Sequence, residues 1–249
     1  MRIPAVHRQY PFLTLFDWGP VGAEALADDA DVAVVVDVLS FTTTVTVALE
    51  AGARVLPYPR DHGAADVADR HDAVLAVGRS RAGAGQVSLS PAGMRAHAPV
   101  GRVVVLPSPN GSTLAHRLAS GTTTCVAACL RNAGAVADWV ERRFPHPARV
   151  AVVAAGERWP DDSLRPAVED LWGAGAVLAL LDADLSPEAR LAADAFGSVE
   201  GTLARALLGC ASGLELVAAT FGEDVEVAAD LDVTDVVPVL VDGEFVSAG

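Results

Sequence analysis

The chain has 249 residues, 51% of them hydrophobic, with a formal net charge of −14 and a pI near 4.7. That acidity disfavours nucleic acid, whose phosphates call for a basic face, but leaves room for a small anion in a locally positive pocket. No run reaches the ~18–20 apolar residues of a membrane span, and Pro4, His7, Gln9 and Pro11 interrupt the stretch a signal peptide would need, so the expectation is a cytoplasmic protein without a membrane partner.

Short Val/Ala-rich runs alternate with amphipathic segments, the pattern of βα units. A strand is predicted at Val32–Val36, then a helix over 42–51 closed by Gly52. Strands follow at 54–57, 73–77 and 103–106, with the glycine-rich 78–93 between the last two read as a long loop. A helix over 110–119 ends near Gly121, a strand covers 124–127, and a helix over 132–143 stops before Pro145.

After a strand at Val150–Ala154, Ser163 is expected to N-cap a helix with Pro166 in its first turn, running to about Leu181. Gly173 and Gly175 would each cost that helix about 1 kcal/mol relative to Ala, which close packing against a strand would explain. Ser186 caps a helix over 187–196; helices at 201–210 and 213–219 follow, then strands at 225–228 and 236–241. Near-continuous apolar strands imply a sheet covered on both faces. The expectation is an α/β fold, layered α/β/α with a mainly parallel or mixed sheet, as one domain over 1–249 or two tightly packed lobes.

The three cysteines, Cys125, Cys129 and Cys210, are too few and too unpaired for a disulfide framework. They read as small buried hydrophobes. All eighteen basic residues are arginine, which rules out a lysine Schiff base and a P-loop. Any cationic contact with a substrate must come from Arg, a metal or backbone N–H groups.

Ligands of open α/β sheets bind beyond the carboxyl ends of strands, where loops enter helices. Four segments carry polar residues there. VVVDVLSFTTTV delivers Asp37, then Ser40, Thr42 and Thr43, to a helix start whose free N–H groups suit a phosphate. Asp37 is placed to hold a metal, attack phosphorus or close a turn. VLPSPNGSTLA brings Asn110, Gly111 and Ser112; CLRNAGAVADWV brings Arg131 and Asn132. An arginine at a helix N-terminus opposes the dipole unless an anion lies between. The fourth, VVAAGERWPDDSLRPAVEDLWGAG, offers Glu157 and Arg158, then Asp161, Asp162, Glu169 and Asp170 around the helix start. Adjacent Glu169 and Asp170 point about 100° apart, so one of them faces a site.

HExxH, GxSxG and GxGxxG are absent. Oxygen ligands, arginines and helix N-termini remain, an inventory that suits Mg²⁺ and a phosphate ester.

At these residues the chain resembles the 2-phosphosulfolactate phosphatase family. The resemblance rests on ordered motifs: DVLSFTTTV, GRSRAGAG…SLSP, PSPNGST, CLRNA, AAGERW…VEDLWGAGA, SGLEL and VPVL. It implies an α/β fold, Mg²⁺ dependence and hydrolysis of a 2-phospho-3-sulfolactate-like monoester, a step of coenzyme M biosynthesis. The chain departs from the family pattern at Ser40, where Arg is typical, and at Arg79, where an acidic residue is typical. It also departs at Leu89-Ser90-Pro91 and at Ala154-Ala155-Gly156, in place of Asn-Ser-Pro and Cys-Ala-Gly.

The expected enzyme is therefore a Mg²⁺-dependent phosphatase of a small phosphorylated anion, with a homodimer as an option. Asp37, Asn110 and one of Glu169 and Asp170 are its catalytic candidates, with Asp37 and the Glu169/Asp170 pair as metal ligands. The hydroxyls of Thr42, Thr43 and Ser112, with helix N-terminal amides, are expected to cradle the phosphate, and Ser40, Gly111, Asn132 and Glu157 are further substrate-binding candidates. Arg79, Arg131 and Arg158 meet the substrate's other charges. The alternatives are a non-catalytic binder of a phosphorylated metabolite and a phosphatase of another phospho-acid.

Overall fold

A computed structural model describes residues 3–59, 63–83, 85–118, 123–144, 147–181 and 184–248. In chain order its elements are β1 (Thr14–Trp18), α1 (Gly19–Leu26), β2 (Val32–Val36), α2 (Phe41–Glu50), β3 (Arg54–Pro59), α3 (Ala64–Arg70) and β4 (Val74–Leu75). Next come α4 (Pro91–His97), β5 (Val103–Ser108), α5 (Gly111–Leu118), β6 (Thr124–Ala128), α6 (Ala133–Arg143) and β7 (Val150–Ala154). A short hairpin, β8 (Glu157–Arg158) and β9 (Leu164–Arg165), leads to α7 (Val168–Leu178) and α8 (Pro187–Gly197). The chain ends with α9 (Leu203–Gly209), α10 (Ala211–Ala218), α11 (Gly222–Ala229), β10 (Pro238–Val241) and β11 (Glu244–Ser247).

Nine strands form one sheet in the order β1-β7-β2-β6-β10-β11-β3-β5-β4. It is the mixed version of the expected sheet. β1, β7, β2 and β6 make one parallel block, and β3, β5 and β4 another. The antiparallel β10–β11 hairpin joins them through Val239↔Val126 on one side and Phe245↔Val55 on the other.

Alternation along β2 shows why the strand needs apolar residues at every position. Val32, Val34 and Val36 join the core beneath α6, α7 and α8, while Ala33 and Val35 join the core with α2 and α5. α2 and α5 each pack on strands of both blocks and so lie between them. α3 covers the far face of the second block through Val67, Ala68 and Val105.

The close spacing in α7 explains its glycines. A Cβ on Gly173 would sit 2.9 Å from Val36 Cγ1, against the strand, whereas Gly175 abuts the Ala192 backbone of α8. The three cysteines are buried and unbridged, as their sparse spacing implied.

Three segments differ from the sequence reading. Residues 225–228, read as a strand, lie in helix α11, where Val225 and Ala228 are buried three apart on one face. Ser163 caps no helix: it closes the β8–β9 turn, its backbone oxygen accepting from Trp159 N at 2.9 Å, and α7 starts only at Val168. The stretch read as loop ends in α4, capped by Ser90, whose Oγ accepts from Gly93 N at 2.9 Å, with Pro91 in its first turn. The expected helix end at Ala119 and the stop signals Gly121 and Pro145 lie outside the described residues. Among the described residues no single helix is long and apolar enough to cross a membrane.

Candidate active site

Asp37 leaves the carboxyl end of β2 and is held between two helix starts. Its Oδ1 accepts from Phe41 N of α2 at 3.0 Å and its Oδ2 from Gly111 N of α5 at 2.9 Å. This approach needs a glycine, because a Cβ at position 111 would stand 2.8 Å from Asp37 Oδ2. The two blocks of the sheet thus meet at one carboxylate. Burial raises the Asp37 pKa, and the two N–H donors and the charge of Arg79 oppose that rise.

The cleft above Asp37 has a volume of about 480 Å³. Ser40, Arg79, Asn110 and Glu157 share it, so three of the four expected junctions converge there. Asn110 Nδ2 donates to Glu157 Oε2 at 3.0 Å, and Arg158 Nε donates to Asn110 Oδ1 at 3.3 Å from the other side. Burial, then the Asp37 charge, pushes the Glu157 pKa up to about 7. The β8–β9 hairpin fixes this glutamate, and with it Arg158, whose guanidinium pairs with Asp162 at 2.9 Å. Asp161 and Asp162 therefore belong to that hairpin's turn rather than to a helix start.

Arg79 enters the cleft from the 78–93 segment. Its Nε donates to Asp224 at 2.7 Å and its Nη2 to the Ser40 hydroxyl. Asp224, on α11, is buried and also accepts from Ser90 Oγ and from Ala92 N. Misreading 225–228 as a strand hid this anchor. The opposite wall, from α10 and the turn after it, carries Glu215, Leu216, Ala219 and Phe221; the SGLEL motif was its only signal in sequence.

The remaining candidates are engaged elsewhere. Thr42 Oγ1 donates to Asp37 O at 2.7 Å and Thr43 Oγ1 to Val38 O at 2.8 Å, both fully buried. Ser112 Oγ donates to Leu106 O at 2.8 Å. These hydroxyls close the turns that carry Asp37 and Asn110 and are not a phosphate cradle. Asn132 closes its own turn, accepting from Cys129 N at 2.8 Å and donating to Val236 O at 3.0 Å. Arg131 is buried away from the cleft, paired with Glu50 at 3.0 Å and Asp230 at 2.8 Å. An anion does sit at that arginine, supplied by the protein itself.

Asp170 lies beneath the cleft and ties it together. Its Oδ1 accepts from Val38 N at 2.7 Å and its Oδ2 from Gly156 N at 2.8 Å. Burial, then repulsion from Asp37 and Glu169, holds its pKa well above the usual carboxylate range. Neither Glu169 nor Asp170 lines the cleft. Glu169 is buried deeper, beside Cys210, and its Oε2 has no hydrogen-bond partner. Among the described residues no group of three His, Cys, Asp or Glu side chains is spaced to hold a metal ion, so the three carboxylates expected as a ligand set do not form one.

The sequence pattern that defines the 2-phosphosulpholactate phosphatases matches residues 22–243, spanning every element of this site. The chain belongs to that family. It is 34% identical to a probable 2-phosphosulfolactate phosphatase of Deinococcus radiodurans, over 88% of this chain and 91% of the relative. It is 31% identical to a protein of the same description from Thermotoga petrophila, over 86% of this chain and 91% of the relative. Members are hydrolases of phosphate monoesters, and the convergence of Asp37, Asn110, Glu157 and Arg79 is where such chemistry fits this fold.

Proposed function

We propose that the cleft hydrolyses the phosphate monoester of a small metabolite with the help of Mg²⁺. The observation that supports this reading is the meeting of a backbone-clamped carboxylate, a second carboxylate with a pKa near 7 and a guanidinium in one cleft. Water attacks phosphorus as Glu157 takes its proton, which suits a base titrating near neutrality. The bond from phosphorus to the ester oxygen breaks, that oxygen takes a proton from solvent while Glu157 returns its own to solvent, and an alcohol and inorganic phosphate result. Arg79 faces the charge gathering on the phosphoryl oxygens. Asn110 orients Glu157 through its amide.

Mg²⁺ typically binds one or two protein carboxylates together with substrate phosphate and water, so the absence of a three-carboxylate group among the described residues does not oppose it. Asp37 is the residue to hold it, since each oxygen keeps a lone pair beyond its N–H contact. The repulsion of Asp37 against Glu157 and against Asp170 is what a cation would relieve. When bound, the ion would screen the phosphate dianion. The relatives' names make 2-phospho-3-sulfolactate the reference substrate.

The test is phosphate release from a panel of monoesters with and without Mg²⁺, repeated in Asp37→Asn. Metal-dependent release that collapses in the folded variant is expected. A variant retaining both activity and Mg²⁺ response would remove Asp37 from the mechanism. Binding of the panel with no release would favour a non-catalytic phosphometabolite binder.

A further inference from the structure

On the reading that the cleft hydrolyses phosphomonoesters, with 2-phospho-3-sulfolactate as the reference, the substrate's further anions need a partner. Among the described residues the lining holds one basic side chain, Arg79, and three acidic ones, Asp37, Glu157 and Glu215. Arg131 is taken up by Glu50 and Asp230, and Arg158 by Asp162. A carboxylate or sulfonate beside the phosphate therefore calls for another charged donor, and two walls of the cleft meet at one.

Arg165 stands directly opposite Glu157 in the β8–β9 pairing, so the two side chains leave the same face of the hairpin. Its Nη2 donates to Ser212 Oγ of α10 at 3.0 Å. Ser212 shares one stripe of that helix with Glu215, Leu216 and Ala219, at i, i+3, i+4 and i+7, and those three line the cleft. The guanidinium is thus held just beyond the lining, where the stripe runs on past Glu215 towards the hairpin. It is partly buried, and its other neighbour is the Trp159 ring, 6.0 Å away at the centroid. Among the described residues no carboxylate pairs with it, although its charge opposes the pKa rise at Glu157. In a chain with 32 acidic residues against 18 basic ones, a partly buried arginine left without a carboxylate is free to take one from a ligand.

We propose that Arg165 is a substrate-binding residue that takes the carboxylate or sulfonate beside the phosphate, while Arg79 and Asp37 attend the phosphate itself. Most of the five N–H donors of its guanidinium remain after the bond to Ser212, and their planar fork matches a carboxylate bidentately. The substrate then spans the cleft, its phosphate above Asp37 and its second anion at the junction of the hairpin with α10.

The experiment compares kcat/KM for 2-phospho-3-sulfolactate and for phenyl phosphate, which carries no second anion, in the unaltered chain, Arg165→Met and Arg165→Lys, all with Mg²⁺. Calorimetric Kd values for 3-phosphonopropionate and benzylphosphonate, neither of which can be hydrolysed, accompany it. Arg165→Met is expected to lower kcat/KM for 2-phospho-3-sulfolactate by about tenfold or more beyond its effect on phenyl phosphate. It should weaken 3-phosphonopropionate relative to benzylphosphonate by a similar factor, and Arg165→Lys, with the charge but not the fork, should recover part of both differences. Equal losses on the two esters, or none on either, overturn the proposal, because the guanidinium then serves only the hairpin or the solvent. Should Arg165→Met not fold, Arg165→Lys carries the same comparison, with a several-fold selective loss expected and equal losses again overturning it. Selective loss of 3-phosphonopropionate binding in a protein that turns over no ester would instead sink the hydrolysis reading and leave Arg165 as the partner of the second anion.

Discussion

Arg79 and Arg131 occupy similar places in the sequence, each just beyond a strand, and the fold puts them to opposite uses. Arg131 is enclosed: its guanidinium donates to Glu50, Asp230 and the Val227 carbonyl, and it lies outside the cleft. Arg79 is anchored on one side by Asp224 and opens on the other into the space above Asp37. The difference lies in the partners' positions. Two carboxylates, from the end of α2 and from just after α11, and the Val227 carbonyl engage both terminal nitrogens of Arg131, whereas Arg79 has one buried carboxylate and a hydroxyl. An arginine at a strand end is thus no guide to a binding site until its carboxylates are located, and those are 81 and 99 residues away for Arg131.

The sharpest way to break this contrast is to compare a cleft residue with the sealed arginine on the same assay. Glu157→Gln keeps the acceptor for Asn110 and removes the base. It should lower kcat by roughly 10²- to 10⁴-fold, while Arg131→Met leaves kcat per folded molecule unchanged. Steady-state rates normalised by active-site titration would show it. A large rate loss in Arg131→Met with unaltered folding would return that arginine to the reaction.

The same glutamate gives a stability signature. Its folded pKa, about 7, lies above the unfolded value of 4.5, so the folded state holds a proton that the unfolded chain has lost. Stability from this group is fully present below pH ~4.5 and is lost as pH rises through about 7. Glu157→Gln should match the unaltered protein in acid and exceed it at pH 8, by no more than about 3 kcal/mol. Thermal melts across pH 4 to 8 measure the gap. A constant difference would mean that the carboxyl is not displaced from its ordinary range.

Strand ends were legible in the sequence because burial on both faces leaves a plain mark: Val32–Val36 and Val150–Ala154 are apolar at every position and appear with the expected bounds. Short helices were less so. In residues 222–229 Val, Glu and Val alternate for three positions, which imitates a strand, and the buried i, i+3 pair Val225 and Ala228 is too short a signal to outweigh it. That misreading cost the site its Asp224. Asp37, Asn110 and Glu157 were legible because they stand where strands end. The roles of Thr42, Thr43, Ser112 and Asn132 were not, since a hydroxyl or amide that closes its own turn looks the same in sequence as one that awaits a phosphate.

Arg131 itself should matter for folding. Arg131→Met removes the partner of Glu50 and leaves Asp230 with the longer contact to Arg95 at 3.6 Å, and both carboxylates reach solvent, with side-chain exposures of 24% and 47%. The full penalty of stranding buried charge does not apply, and a loss of about 1.5–3 kcal/mol is expected. Urea unfolding of the variant reads it directly, and a loss below about 0.5 kcal/mol would mean that the pairing is no more than a surface contact.

The smallest effect tests whether the threonine-rich helix start serves structure alone. Thr43→Val removes one hydroxyl and keeps the volume and branching of the side chain. The bond lost is Thr43 Oγ1 to the Val38 carbonyl at 2.8 Å, fully buried, in the turn that carries Asp37. A neutral hydrogen bond of this kind contributes about 1 kcal/mol net, and the stranded carbonyl keeps the cost from vanishing. The variant should therefore unfold about 1 kcal/mol more easily, with KM for a phosphate monoester within about twofold of the parent. A hydroxyl that touched the phosphate would act in the other sense: KM would rise about tenfold or more, by the loss of a hydrogen bond to a charged group of ~1.5–3 kcal/mol. Measuring both quantities on one preparation separates the two roles, because the turn carries its load whether or not substrate is present.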